Sequence, residues 1–149
     1  MTEVKNLKVQ EEFNSYIWET LYDYSKEKNP DVEMELHQVK TVPQCVCISL
    51  KGYVDSYNSN YFFQQCQKLL KSCLIRVIFD MKDLTYISSE GVAKTVLFLK
   101  ELKRVGGDIV IVNFQEKVKH VFELLGLIGF FPYEDSVKDA ISLYECSLK

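Results

Sequence analysis

Residues 84–92 of the chain read LTYISSEGV, and this stretch marks the passage from one predicted element of the fold to the next. The residues before it, 75–79, read IRVIF, a β-branched and nearly continuous apolar run. Such a run is typical of a central strand that is covered on both faces. Ser88 and Ser89 are of a residue type that often begins helices. The stretch therefore predicts a buried strand followed by a helix that runs to the glycine pair at 106–107.

Strands and helices alternate on both sides of this stretch. Upstream, residues 32–36 and 45–50 read as two strands joined by a turn around Pro43, which predicts a hairpin. The other predicted elements are a helix that follows residues 55–59 and ends near Lys71, a strand over 109–112, a helix over 118–125, a strand over 130–133 and a last helix over 137–144. This order predicts an α/β fold, a mixed and mostly parallel β-sheet with an N-terminal hairpin and helices packed on it.

A charged stretch, KEKNPD at residues 26–31, separates an N-terminal segment from the rest of the chain. In this segment four apolar residues recur at spacings of four, four and three: Phe13, Ile17, Leu21 and Tyr24. This spacing is typical of one face of an amphipathic helix. We therefore expect an N-terminal helical extension over 1–31 and a domain over 32–149. The apolar stripe would dock this extra N-terminal helix on the domain, or on a second copy to form a homodimer.

Composition and charge exclude several classes of partner. The chain has 149 residues, of which 47% are hydrophobic, and a formal net charge of -3 at pH 7. A protein with this charge lacks the positive field that nucleic acid requires. No apolar run approaches the roughly 20 residues that span a bilayer, and residues 1–10 are polar and unlike a signal peptide. We therefore expect a cytoplasmic protein with neither nucleic acid nor a membrane among its partners.

The chain contains five cysteines, Cys45, Cys47, Cys66, Cys73 and Cys146. An odd number of cysteines, mostly within apolar patterns, indicates reduced thiols rather than a disulfide framework. We expect Cys66 and Cys73, seven residues apart, to share one face of a helix. Neither His37 nor His120 is suitably spaced to join Cys45 and Cys47 around a metal ion, so the sequence predicts no metal and no other cofactor.

Four short motifs, taken in order, resemble those of STAS domains. They are residues 50–55 (LKGYVD), 84–92 (LTYISSEGV), 106–108 (GGD) and 121–127 (VFELLGL). The likeness runs from about residue 44 to residue 143 and is strongest to the bacterial anti-sigma factor antagonists, so it implies a STAS-like fold. It leaves the first 31 residues outside.

The resemblance also implies a function. In the antagonists, a serine at the position of Ser89 is phosphorylated by a partner kinase that is also the anti-sigma factor. The unphosphorylated form binds this kinase and releases the sigma factor, and a matching phosphatase resets the switch. The resemblance thus implies a phosphorylation site at Ser89, with Ser88 as the alternative. The chain departs from the family where Ser88 replaces a frequent Asp and Glu90 replaces a frequent Ser or Thr.

Ordinary structural roles compete with the functional ones at each candidate residue. Ser89 could cap a helix as well as accept a phosphate, and Asp55 could cap the first helix or contact a partner. Glu90 and Lys94 are spaced to form an ion pair on a helix, and Phe98 continues their stripe, either as a partner contact or beneath the N-terminal helix. The candidate partner-binding residues are Asp55, Ser88, Ser89, Glu90, Lys94 and Phe98.

The sequence contains neither the Gly-x-Ser-x-Gly motif of a nucleophilic serine nor a phosphate-binding Gly-x-x-x-x-Gly-Lys loop. We therefore interpret the chain as a binding protein without enzymatic activity or catalytic residues. An alternative within this class is a STAS scaffold module of another signalling or transport-linked assembly that does not act on a sigma factor. An exposed Ser89 would favour a protein partner, whereas a Ser89 inside a pocket would favour catalysis.

Overall fold

The computed structural model describes residues 29–148 and the backbone of residues 17–20. The elements in chain order are β1 (Ile17–Thr20), β2 (Val32–Val39), β3 (Cys45–Val54), α1 (Ser59–Lys71), β4 (Arg76–Ile87), α2 (Ser89–Arg104), β5 (Asp108–Val112), α3 (Glu116–Leu124), a 3-10 turn (Ile128–Phe130), β6 (Tyr133–Glu134) and α4 (Val137–Ser147). Strands and helices thus alternate in the predicted order from β3 onward.

The strands form one sheet in sequence order, from β1 at one edge to β6 at the other. The pairs β1–β2 and β2–β3 are antiparallel, and the pairs β3–β4, β4–β5 and β5–β6 are parallel. In the centre, Val77 of β4 lies in register with Val46 of β3 and Ile109 of β5. The predicted mixed, mostly parallel sheet with an N-terminal hairpin is therefore confirmed.

Helices cover the sheet on both faces, which explains why β4 begins with a continuous apolar run. Phe79 points toward α1 and α2, where its ring lies 5.9 Å from that of Phe62 and 6.3 Å from that of Phe98. Ile78 points to the opposite face and belongs to the cluster beneath α4. There the Tyr144 hydroxyl donates a 2.8 Å hydrogen bond to the carbonyl of Val77. Alternate residues of one strand thus fill two cores.

The prediction of an N-terminal helix from Phe13 to Tyr24 is wrong at residues 17–20, because these residues form strand β1. Ile17 pairs with Val39 and Thr20 with His37, so β1 occupies the outer edge of β2. An unpaired strand edge presents backbone donors and acceptors, and satisfying them overrides a helical spacing of apolar residues. The β-branched and aromatic residues of IWET also favour a strand.

The rest of the N-terminal segment, residues 1–16 and 21–28, lies outside the described residues, and so do Phe13, Leu21 and Tyr24. The docking of this segment and its role in a homodimer stay predictions. The division of the chain into 1–31 and 32–149 stays a prediction as well.

Two strand boundaries differ from the predicted ones. Strand β4 continues beyond residue 79 to Ile87, with register shifts against β3 that keep Leu84 and Ile87 buried. The strand predicted over 130–133 begins only at Tyr133, after a 3-10 turn. Pro132 has no backbone N–H to donate to a ladder, and its carbonyl accepts a 3.0 Å hydrogen bond from Ile111 instead.

The five cysteines are free thiols in the structure, but Cys66 and Cys73 do not share a helix face. Helix α1 ends at Lys71, and Cys73 adopts a left-handed conformation with a φ of 60°. This conformation lets the N–H of Leu74 donate to the carbonyl of Leu69 at 3.0 Å, in a common form of helix termination. Cys73 is consequently exposed, whereas Cys66 is buried.

Three of the five thiols should resist alkylation in the folded protein. Burial raises the pKa of Cys45 to about 12 and raises the pKa values of Cys47 and Cys66 well above their usual range. Because the thiolate is the reactive form, iodoacetamide at pH 8 should label only Cys73 and Cys146 before unfolding and all five thiols after it. Intact-mass spectrometry counts the labels.

A variant with both Cys73→Ser and Cys146→Ser serves as the control and should take up no label while folded. Equally fast labelling of any buried cysteine in the native protein would contradict this packing.

Candidate functional site

Ser88 connects the end of the sheet to the start of α2. Its N–H donates a 2.8 Å hydrogen bond to the carbonyl of Val54 at the end of β3, and its carbonyl accepts one from Val92 at 3.0 Å. The start of the helix is therefore attached to both central strands. This junction lies at the carboxyl end of the parallel strands, where ligands and partners of α/β sheets usually bind.

Ser88 is also the N-cap residue of α2. Its Oγ accepts a 3.1 Å hydrogen bond from the N–H of Gly91, and the residue is only 7% exposed. The capping role considered for Ser89 therefore belongs to Ser88. The reason is geometric, because the cap residue needs an extended backbone, and Ser88 has a φ of -82° and a ψ of 169°.

Ser89 is the first helical residue and lies exposed at the surface. Its hydroxyl donates a 3.3 Å hydrogen bond to the carboxylate of Glu90. A cavity of about 550 Å³ lies at the opposite end of the sheet, where Arg76, Lys103 and Gly107 are among its lining residues. The Ser89 hydroxyl thus occupies a helix end on the surface, which favours a protein partner over a pocket for chemistry.

Gly91 brings the first turn of α2 into direct contact with the sheet. A Cβ atom at this position would lie 2.7 Å from Cγ1 of Ile87 and 2.9 Å from Cγ1 of Val54, closer than real carbon contacts. The carbonyl of Gly91 accepts a 2.9 Å hydrogen bond from the buried Thr95 hydroxyl. A glycine is therefore required here by close packing.

Asp55 braces the loop between β3 and α1. Its carboxylate accepts hydrogen bonds from the N–H groups of Tyr57 at 2.9 Å and Asn58 at 3.0 Å. The Asn58 side chain in return accepts from the N–H of Asp55 at 2.8 Å and donates to the carbonyl of Tyr53 at 2.9 Å. Asp55 thus stabilises the turn before the helix, while Asn58 occupies the N-cap position itself. The capping position of Asn58 was not predicted from the sequence.

Two expectations for α2 are wrong. Glu90 and Lys94 do not pair in the part of the chain that the structure describes, where Lys94 instead lies over the ring of Phe63 at 5.2 Å. Phe98 is fully buried and cannot contact a partner. The core stripe of α2 runs through Thr95, Phe98 and Leu102, because the helix faces Phe79 of β4 along that line.

Three of the exposed tyrosines lie close to this junction along the chain and were not predicted from the sequence as site residues. Tyr57 is 95% exposed, Tyr86 52% and Tyr53 36%. Tyr53 and Tyr86 are in register on adjacent strands, each near the end of its strand. The sequence did contain a signal for these residues, because all three lie close to candidate site residues. Tyr53 and Tyr57 flank Asp55, and Tyr86 precedes Ser88 by two residues.

Within residues 17–20 and 29–148, no group of three or more His, Cys, Asp or Glu side chains is arranged to hold a metal ion. The helices in these same ranges are too short or too polar to cross a bilayer.

Comparisons with known proteins agree on one family. The family model described as the STAS domain matches residues 37–140. BtrV of Bordetella bronchiseptica (strain ATCC BAA-588 / NCTC 13252 / RB50), a protein named as an anti-sigma factor antagonist, is 30% identical over 99 residues, which cover 66% of this chain and 85% of BtrV.

Solved structures show the same fold. The anti-sigma factor antagonist SpoIIAA in its unphosphorylated form has a TM-score of 0.66 and 21% identity, covering 76% of this chain and 97% of that one. The phosphorylated form of SpoIIAA from Bacillus has a TM-score of 0.58 and 21% identity, covering 74% and 97% of the two chains. At these identities the likeness extends to the fold.

The assignment of the cap predicts different costs for two neighbouring substitutions. Ser88→Ala removes the side-chain acceptor of the Gly91 N–H and should lower the free energy of unfolding by about 0.5–2 kcal/mol. Ser89→Ala removes an exposed hydroxyl and should change that free energy by less than about 0.5 kcal/mol. Urea unfolding followed by circular dichroism measures both. A larger loss for Ser89→Ala than for Ser88→Ala would mean that the cap is assigned to the wrong serine.

Proposed function

Because the chain belongs to the STAS domain family, we propose that it acts as an anti-sigma factor antagonist, a protein-binding switch controlled by phosphorylation of Ser89. In this proposal the unphosphorylated protein binds an anti-sigma factor that is also a serine kinase. The observation that carries the proposal is the contrast between Ser88, buried and engaged as the cap, and Ser89, exposed at the start of α2.

The position of Ser89 suits a group that changes its charge. A phosphate adds about -1.5 to -2 charges at pH 7. The N-terminus of a helix tolerates this charge, since its dipole and free N–H groups favour anions. The cap hydrogen bond between Ser88 and Gly91 does not involve the Ser89 hydroxyl, so phosphorylation of Ser89 leaves it in place. The fold can therefore persist in both states of the switch.

The same charge weakens a protein interface. A partner can close over a small neutral hydroxyl, whereas a phosphate enclosed there must find cations or remain unpaired at high cost. The Glu90 carboxylate, 3.3 Å from the Ser89 hydroxyl, adds repulsion to any phosphate at this position. Phosphorylation by the bound kinase thus favours release, and a phosphatase that removes the phosphate restores binding.

The residues around Ser89 form the proposed contact surface. Asp55 directly follows Val54, whose carbonyl accepts a hydrogen bond from the Ser88 N–H. Asp55 therefore lies next to the junction. Glu90 and Lys94 lie on the first turns of α2, with the Lys94 ammonium over an aromatic ring. These side chains border Ser89 and would set which kinase is recognised.

We favour binding over catalysis for this serine. A nucleophilic serine is activated by an adjacent base that a third group orients. The hydroxyl of Ser89 instead donates to the surface carboxylate of Glu90.

In this proposal the protein acts in the cytoplasm, because sigma factor control takes place there.

Phosphorylation of Ser89 can be tested directly. Each anti-sigma factor of the source organism that carries a serine kinase domain is purified and incubated with the protein and Mg-ATP. Intact-mass and fragment-ion spectra should show one phosphate on wild-type protein, located at Ser89. The exposed hydroxyl is within reach of a kinase, while the buried Ser88 is not.

Ser88→Ala is the matched control. It weakens the helix cap but keeps the Ser89 hydroxyl that accepts the phosphate, so this variant should still take up one phosphate. Ser89→Ala should take up none. A phosphate found on Ser88 would refute the assignment to Ser89, whereas no modification by any of these kinases would refute the switch and leave the protein as a scaffold module.

A further inference from the structure

Tyr53, Tyr57 and Tyr86 are exposed residues at the carboxyl ends of β3 and β4 and in the loop after β3, which is the end of the sheet where α2 and Ser89 begin. Tyr53 and Tyr86 are register partners on β3 and β4, so their side chains leave the sheet on the same face. Tyr57 follows in the turn that Asp55 braces, and its N–H is held by the Asp55 carboxylate at 2.9 Å. We call these three residues the tyrosine surface.

Within residues 29–148, the rings of Tyr53, Tyr57 and Tyr86 stay 36–95% exposed, so none of the helices α1 to α4 covers them. The next residues of the two strands, Val54 and Ile87, point the other way into the core beneath α1 and α2. On the face of the tyrosines, the apolar cluster beneath α4 is built from residues nearer the amino ends of the strands, such as Cys47 and Ile78. Among the described residues, the part of this face beyond α4 carries exposed aromatic rings. Grouped exposed aromatic residues usually mark a contact with another protein.

Carboxylates border the tyrosine surface. The Asp31 carboxylate lies near the Tyr53 hydroxyl and raises the pKa of that phenol. Asp55 lies between Tyr53 and Tyr57, and Glu90 lies beside Ser89.

Lysines offset this charge only in part. Lys94 is drawn over the ring of Phe63, and Lys51 lies two residues before Tyr53 on β3. Two carboxylates, those of Asp31 and Asp55, therefore lie near Tyr53, and the faces of aromatic rings also attract cations.

We propose that the tyrosine surface, with Asp55 and Glu90, binds cationic side chains, arginine above all, on the protein that closes over Ser89. The proposal rests on the proposed function. A guanidinium stacks flat on an aromatic ring and pairs with a carboxylate in the same plane, which a lysine ammonium does less well. Tyrosine and arginine are also the residues that most often dominate binding energy at protein interfaces.

This surface couples directly to the state of Ser89. A phosphate on Ser89 would compete with the rings and with Asp55 for the same guanidinium. Drawing that cation toward the start of α2 would break its contacts with Tyr57 and Tyr86, so phosphorylation would alter the interface beyond the serine itself.

A short peptide tests the surface without a partner protein. The 15N-labelled full chain is titrated with acetyl-Arg-Ala-Ala-Arg-amide, and the amide shifts are followed by two-dimensional NMR. Shifts should concentrate on residues 53–58 and 86–90. Replacing both arginines of the peptide by lysine should weaken binding about two- to five-fold, and Tyr57→Ala or Tyr86→Ala should each do the same.

Tyr133→Ala is the matched control. This tyrosine on β6 is 48% exposed, and the Lys119 ammonium already lies over its ring, 4.6 Å from the ring centroid. It should leave the peptide affinity unchanged. The titration uses unmodified protein and a peptide that contains no kinase, so its outcome is independent of whether Ser89 is phosphorylated. Shifts spread evenly over the protein, or an unchanged affinity in both Tyr57→Ala and Tyr86→Ala, would overturn the proposal.

Discussion

The attachment of α2 to the ends of β3 and β4 is the constraint on which the rest of the site depends. It consists of the hydrogen bond from the Ser88 N–H to the carbonyl of Val54 and the packing of Gly91 against Ile87 and Val54. Together these contacts leave no room for a side chain at Gly91. They fix the position and direction of the helix, and with it the place where the next hydroxyl, that of Ser89, meets solvent.

This attachment divides two chemically identical side chains into two roles. Ser88 is buried, and its hydroxyl accepts a hydrogen bond from the Gly91 N–H, so this side chain stabilises the start of α2. Ser89, one residue later, donates to the neighbouring Glu90 carboxylate, and a charge on its hydroxyl leaves the cap hydrogen bond from the Gly91 N–H to Ser88 intact. Around it lie the braced loop of Asp55 and the exposed rings of Tyr57 and Tyr86. A rigid junction of this kind suits a protein that reports its modification state through an interface.

Features that depend on local sequence could be predicted, and those that depend on distant pairing could not. The apolar run before residue 80 and the serine pair were enough to place β4 and the start of α2, because periodicity and capping are local. Strand β1 lies in a segment whose apolar spacing predicts a helix, and pairing with the edge of the distant strand β2 overrides that spacing. Phe98 was placed on the wrong stripe because its partner, Phe79, lies on another element. The choice between Ser88 and Ser89 as cap depends on one backbone angle that composition does not reveal.

The central claim is that Ser89 controls the interface while the fold does not depend on it. Its most direct test uses protein with phosphoserine incorporated at position 89, measured beside the unmodified chain for urea unfolding and for affinity to the kinase that modifies it. The account predicts a free energy of unfolding that changes by less than about 1 kcal/mol, together with an affinity that falls at least about tenfold. An unchanged affinity, or a phosphorylated protein that loses several kcal/mol of stability, would contradict it.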